Sequence, residues 1–294
     1  MRPTRRVRFM QVDVFTSSPF KGNPLAVVFD ADDLDTEQMQ TIARWTNLSE
    51  TAFLLRPTDP EADYRVRIFT TTYEMPFAGH PTLGSAHALL ANGYRPKRAG
   101  HLVQQCNIGL VQLAEQAPGH WAFAAPPATF TPLDAIHHAA LAQAWHTDAL
   151  DLGAPPCLVN NGPAWLVTRV PSADACLALH PDLARLERFA YDTGIHKFAF
   201  YGPHANDGPT TFEVRCLITG GDIGIEEDPV TGSANAGIAC LLRQQNLHPG
   251  DSYTVRQGTA LKRDGRLSIR YDETGTPWIG GTTETMIEGS IHLA

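Results

Sequence analysis

The chain has 294 residues, more than one hydrophobic core usually fills, so two domains are expected. An apolar share of 43% suits a packed soluble protein, and a net charge of −8 argues against a nucleic-acid partner, which needs a basic face. No apolar run approaches the roughly 20 residues of a membrane span, and no apolar segment follows the basic residues Arg2, Arg5, Arg6 and Arg8, which read as a solvated stretch in a cytoplasmic protein.

Residues 7–14 alternate and predict a strand, with Asp13 as a polar interruption. Residues 17–24 carry turn chemistry, and residues 25–29 form a continuous apolar run expected as a buried strand. Asp35 predicts a helix N-cap with Gln38 as its capping-box partner. Met39, Ile42, Ala43 and Trp45 form that helix's apolar face, and it stops near Asn47. Residues 51–55 and 63–70 read as strands. A glycine turn then opens a small-residue helix that runs to about Ala91, where Asn92-Gly93 ends it. Strands follow through Phe123. Residues 124–132 read as a linker, residues 133–150 as a helix, and residues 159–170 as the first strands of a second lobe, with Ser172 capping a helix towards Leu179.

The chain also repeats itself. Pro76, Gly79, Gly84 and Leu89 recur as Pro229, Gly232, Gly237 and Leu242, at an offset of 153 residues (232 − 79). Upstream, residues 64–70 resemble residues 212–218 at an offset of 148 (215 − 67), so the second copy carries five extra residues in a loop that includes Gly220, Gly221 and Asp222. Downstream, residues 110–113 before Trp121 resemble residues 267–270 before Trp278. A period this long exceeds any solenoid unit and reads as duplication of a whole domain. The expected class is α+β: strands, one long helix per lobe, more strands, with lobes at 1–130 and 131–294 and a return of the last strand to the first lobe left open. Each glycine turn points unpaired backbone N–H groups and the positive end of a helix dipole at one spot. Two such turns suggest one anion site between two similar domains.

Several side chains could carry chemistry. Glu50 enters an apolar strand, where a carboxylate is costly unless paired or protonated; burial of that kind makes a carboxyl a proton shuttle near neutral pH. A surface glutamate at a strand end is the plainer alternative. Asp228 follows Glu226 and Glu227, three acids that raise one another's pKa if crowded and form a solvated loop if not. The repeat puts Met75 at its place in the first copy, so this acid belongs to one copy only. His80 and Ser233 each follow the turn glycine, where a side chain reaches the same anion as the backbone; for Ser233 an ordinary helix cap is the alternative. His80 and His87 share a helix side but lack a third ligand at any standard spacing, so no metal site is expected. The five cysteines are widely spaced without a CxxC and read as reduced core thiols. No dinucleotide, P-loop or nucleophile-elbow motif is present.

Residues 12–16 (VDVFT), 20–24 (FKGNP), 47–51 (NLSET), 76–80 (PFAGH) and 228–234 (DPVTGSA) together resemble the PhzF-like isomerase family of phenazine biosynthesis, in order and spacing, over nearly the whole chain. The resemblance implies a diaminopimelate-epimerase-like fold of two pseudo-symmetric lobes, each a curved sheet around a central helix, with the site in the cleft between them. It implies no metal or cofactor, a small carboxylate-bearing substrate, no membrane partner, and commonly a homodimer. By the same resemblance Glu50, His80 and Asp228 are the catalytic residues, and Gly79, Gly232 and Ser233 bind substrate. Tyr73, Met75, Ala78 and Asn235 depart from the family's usual residues, which bears on the substrate more than on the chemistry. The expected reaction is a proton moved between carbons by acid–base catalysis. Two alternatives stand beside it: a small-acid binding protein on the same scaffold, and a racemase, which would need a cysteine at each glycine turn.

Overall fold

The computed structural model describes residues 5–148, 150–205, 208–220 and 225–293. Arg2, Gly221 and Asp222, singled out above, lie outside the described residues. The chain divides into two compact units, one comprising residues up to 124 together with those from 280 onward, the other residues 125–279. The expected split at 130/131 is thus displaced to 124/125, and the final segment groups with the first unit.

In the first unit, β1 (Arg5–Val14), β2 (Asn23–Val28), α1 (Thr36–Thr46), β3 (Thr51–Leu55), β4 (Tyr64–Phe69), β5 (Glu74–Met75), α2 (Gly79–Ala91), β6 (His101–Cys106), β7 (Gly109–Ala117) and β8 (His120–Ala124) follow one another. β1 pairs antiparallel with β2, β2 parallel with β3, and β4 antiparallel with β3 and β5 but parallel with β6. Strand alternation separates two layers. Val28, Phe53 and Phe69 turn to α1, whose Met39, Ile42 and Ala43 are buried against them. Leu25 turns the other way, to α2. A methyl group on Gly84 of α2 would press on Leu25, Val12 and Val14, so glycine sets how closely that helix approaches. The capping box at Asp35 forms with both arms, and Asn47 ends α1 in the left-handed conformation. Trp45, expected on the apolar face, is 82% exposed, because six residues beyond Met39 the helix has turned it off the i, i+3, i+4 stripe.

The second unit contains β9 (Thr129–Pro132), α3 (His138–Ala144), β10 (Cys157–Asn160), β11 (Ala164–Arg169), α4 (Ala173–Leu177), α5 (Leu183–Thr193), β12 (Lys197–Pro203), β13 (Phe212–Thr219), β14 (Ile225–Asp228), α6 (Gly232–Gln244), β15 (Ser252–Gln257) and β16 (Gly265–Tyr271). β17 (Pro277–Leu293) begins here and continues in the first unit. The pairing order of the first unit returns: β10 antiparallel to β11, β11 parallel to β12, β13 antiparallel to β12 and β14 and parallel to β15. α4 and α5 occupy the crossover that α1 occupies in the first unit. Their apolar side packs with Trp145, Phe198, Phe200 and Leu217.

Three expectations change. Residues 129–132 are not linker but strand β9, paired with β10. The helix expected over 133–150 is confined to α3 and a short tighter turn before it, because His146 takes a positive φ and Thr147 turns back to the Ala142 carbonyl. One long helix per lobe becomes several, since α5 was not anticipated, although Asp182 caps it and Gly194 stops it. No helix among the described residues is long and apolar enough to cross a membrane.

Candidate active site

Glu50 is held by what surrounds it in the chain. Asn47 ends α1 at a left-handed residue, and the Thr46 and Thr51 hydroxyls meet at 2.9 Å, clamping the short segment between helix and strand. The Glu50 side chain is only 15% exposed, and its Oε2 stands 3.4 Å from Nε2 of His80, itself 4% exposed. His80 is the second residue of α2, and its other ring nitrogen, Nδ1, lies 3.3 Å from the Asn23 amide. Asn23 belongs to the segment read above as turn chemistry. The Gly22 N–H before it donates to the buried Asp13 carboxylate at 3.1 Å, and any side chain at Gly22 would run into the Val14 carbonyl. Half-exposed Tyr73 joins the group: burial, and then the Glu50 charge, push its phenol above the ordinary value. The first unit thus gathers Glu50, His80, Asn23 and Tyr73 beside the Gly79 helix start.

α2 starts at Ala78 without any side-chain cap, and α6 starts at Thr231 likewise. In neither helix does the N-cap side chain take up the first N–H groups, and helix ends of this kind favour anions. At α6, Ser233 is 5% exposed; its hydroxyl accepts the Trp165 indole N–H at 3.2 Å, and its carbonyl accepts the Asn161 amide at 3.0 Å. Since indole only donates, the serine proton points elsewhere and remains a donor. Ser233 is thus not the helix cap. Asp228, last in β14, accepts the Thr231 hydroxyl at 2.7 Å.

Glu227 is set apart from the other two acids. Successive strand residues face opposite sides, and Glu227 is neutralised by Arg215 in a two-pronged bridge of 3.0 and 2.8 Å. The first copy has the same bridge at the equivalent positions, Arg67 with Glu74, at 2.8 and 2.6 Å. It draws the Glu74 carboxyl below its ordinary pKa, chiefly through the Arg67 hydrogen bonds. Asn23, Trp165, Thr231 and Gln257 are site neighbours that the sequence reading missed. Asn23 and Thr231 lie inside the motifs at 20–24 and 228–234, and Gln257 is matched by Gln104 at the repeat offset of 153 residues (257 − 104).

The chain is similar to known proteins over nearly its whole length. The family model described as phenazine biosynthesis-like protein matches residues 12–289. A Pseudomonas fluorescens protein named trans-2,3-dihydro-3-hydroxyanthranilate isomerase is 36% identical, over 97% of this chain and 99% of its own. A Schizosaccharomyces pombe protein named antisense-enhancing sequence 1 is 34% identical, over 97% and 98%. The crystal structure of a Bacillus anthracis phenazine biosynthesis protein of the PhzF family superposes with a TM-score of 0.83 at 24% identity, covering 98% of this chain and all of that one, and so shares the fold. The chain belongs to the phenazine biosynthesis-like family and stands among its isomerases.

Proposed function

We propose that the chain moves a proton between carbons of a small carboxylate-bearing substrate by acid–base catalysis without a cofactor, with Glu50 as the proton carrier. The observation that carries this reading is the Glu50–His80 pair, two nearly buried titratable groups 3.4 Å apart beside an uncapped helix start. A carboxylate with an imidazole at its oxygen can take a proton from an activated carbon and return it elsewhere. Gly79 offers its N–H to the substrate carboxylate, and holding acid and carbon in register accounts for several kcal/mol of barrier reduction. In the second unit, taken by itself, Gly232 and Ser233 are donors at the start of α6, and Asp228 is an acid beside them. We further infer that each unit is a lobe of the diaminopimelate-epimerase-like type, its strands curved around α2 or α6, which the near-complete burial of both helices supports.

A thiol-based racemase is disfavoured. The five cysteines all have thiols pushed up by burial, Cys240 to about 11, and none stands at a helix start.

The test is deuterium uptake in heavy water, read by mass spectrometry, with trans-2,3-dihydro-3-hydroxyanthranilate and a panel of other small unsaturated carboxylates. The native protein is expected to label at least one of them, and Glu50→Gln to lower labelling by at least 100-fold (roughly the contribution of a positioned acid–base group). Equal labelling by Glu50→Gln would remove Glu50 as the carrier. Binding without any labelling would make the protein a small-acid binder.

A further inference from the structure

We propose that Thr231 and Gln257 are positioning residues for Asp228: together they fix the direction of the hydrogen bonds at its carboxyl and present it as a carboxylate before substrate arrives. This deepens the reading of Asp228 as a working acid given above, and rests on it.

The directions follow from groups that cannot choose. The Thr231 backbone N–H only donates, so the Gln257 atom facing it at 3.1 Å is the acceptor Oε1. The Asp228 backbone carbonyl only accepts, so the atom facing it at 3.0 Å is the donor Nε2. The same Nε2 lies 2.9 Å from the Thr231 hydroxyl oxygen, which must accept there. A hydroxyl has one proton of its own, and its other neighbours are Asp228 Oδ2 at 2.7 Å and the buried Cys216 thiol across the strand pair; burial keeps that thiol protonated and a poor acceptor, so the carboxyl oxygen takes the proton. Thr231 therefore donates to Asp228, and Oδ2 is an acceptor. Asn235 locks the far end: its amide donates to the Thr231 carbonyl and to Gln257 Oε1, both at 2.9 Å. Gln257, Asn235 and Thr231 are 0%, 1% and 4% exposed, so bulk water does not compete for these bonds.

The first copy shows what the second has added. Gln104, equivalent to Gln257, likewise donates to a threonine hydroxyl, that of Thr82, at 2.9 Å. There the relay ends on a backbone carbonyl, Ala78 O, at 2.9 Å. At the offset of 153, Met75 and Ala78 occupy the places of Asp228 and Thr231. Acid and hydroxyl thus occur together, in one copy only. Thr231 also stands at the N-cap of α6, where threonine is favoured for capping, yet it makes no cap bond. Its hydroxyl is directed to the acid instead.

A hydroxyl donated to a carboxylate favours the ionised form. The experiment is a pH titration of the full chain carrying ¹³C-labelled aspartate carboxyls, with the Asp228 resonance assigned by its loss in Asp228→Asn. The Asp228 midpoint is expected to rise by about one pH unit in Thr231→Val and to return in Thr231→Ser. Gln257→Leu removes the Nε2 donor without adding charge and leaves the Thr231 hydroxyl free to turn away, and is expected to raise the midpoint too, with the threonine intact. An unmoved midpoint in both Thr231→Val and Gln257→Leu, or an equal rise in Thr231→Ser, overturns the proposal. The reading is taken without substrate, so a failed labelling experiment with Glu50→Gln leaves this result standing.

Discussion

Two histidines on α2 show how much a side chain owes to its neighbours. His80 has the Asn23 amide at one ring nitrogen and the Glu50 carboxyl at the other. One heptad later, His87 is only partly buried, its Nε2 2.8 Å from the Thr285 hydroxyl. Burial lowers the pKa of His87 from 6.5, against a smaller upward pull from Glu284. The folded state thus keeps this ring neutral where the unfolded chain would protonate it. Its contribution to stability is complete above about pH 6.5 and is lost as pH falls through the depressed folded value. Urea unfolding between pH 7.5 and pH 5 is therefore expected to show a steeper loss of stability in the native protein than in His87→Gln. Parallel pH dependences in the two proteins would place the sensitivity elsewhere.

At the scale of elements, the paired Arg–Glu bridges hold the hairpin before each glycine turn. Arg67 and Glu74 are 16% and 22% exposed, whereas Arg215 and Glu227 are 7% and 11% exposed, and Arg215 also reaches the Leu179 carbonyl at 2.7 Å. Removing one partner of a buried pair leaves a charge without compensation, and the cost grows with burial. Glu227→Gln is expected to cost about 3 kcal/mol and Glu74→Gln about 1 kcal/mol, measured by urea unfolding at pH 7; the reverse order would show that the bridges do not carry the difference. The sequence showed both arginines and both glutamates, and its repeat aligned the strands. The pairing stayed hidden because it crosses a hairpin whose loop differs by five residues between copies. For the same reason Glu227 looked like a member of an acidic cluster. Local signals served well where they act locally, at the Asp35 capping box and the Asn47 stop. They failed where tertiary packing decides: Thr129–Pro132 becomes a strand only because β10 lies beside it, and no neighbour of Asn23 in sequence announces His80.

For the whole molecule, the decisive link is between distant parts of the chain. β17 pairs antiparallel with β1 from Arg5↔Leu293 to Val14↔Thr283, interrupted by one irregularity at Gln11/Val12. β1 is thereby flanked on both sides, by β17 and by β2. The first unit also rests partly on this segment, since Ile291 packs against the core formed by Val28, Phe53 and Phe69. The second-unit core cluster around Trp145, Phe198, Phe200 and Leu217 includes, among the described residues, none beyond 279. Ending the chain after Ile279 would leave β1 with a row of unmet N–H and C=O groups, an edge that invites association. Hydrogen exchange read by mass spectrometry is expected to show amides of β1 and β2 losing protection in that truncation, while those of β12 and β13 retain it. Unchanged protection in β1 would mean that β17 adds little to the first unit. Loss in both units together would mean that the chain unfolds as one cooperative body, with the division at Ile279/Gly280 having no energetic counterpart.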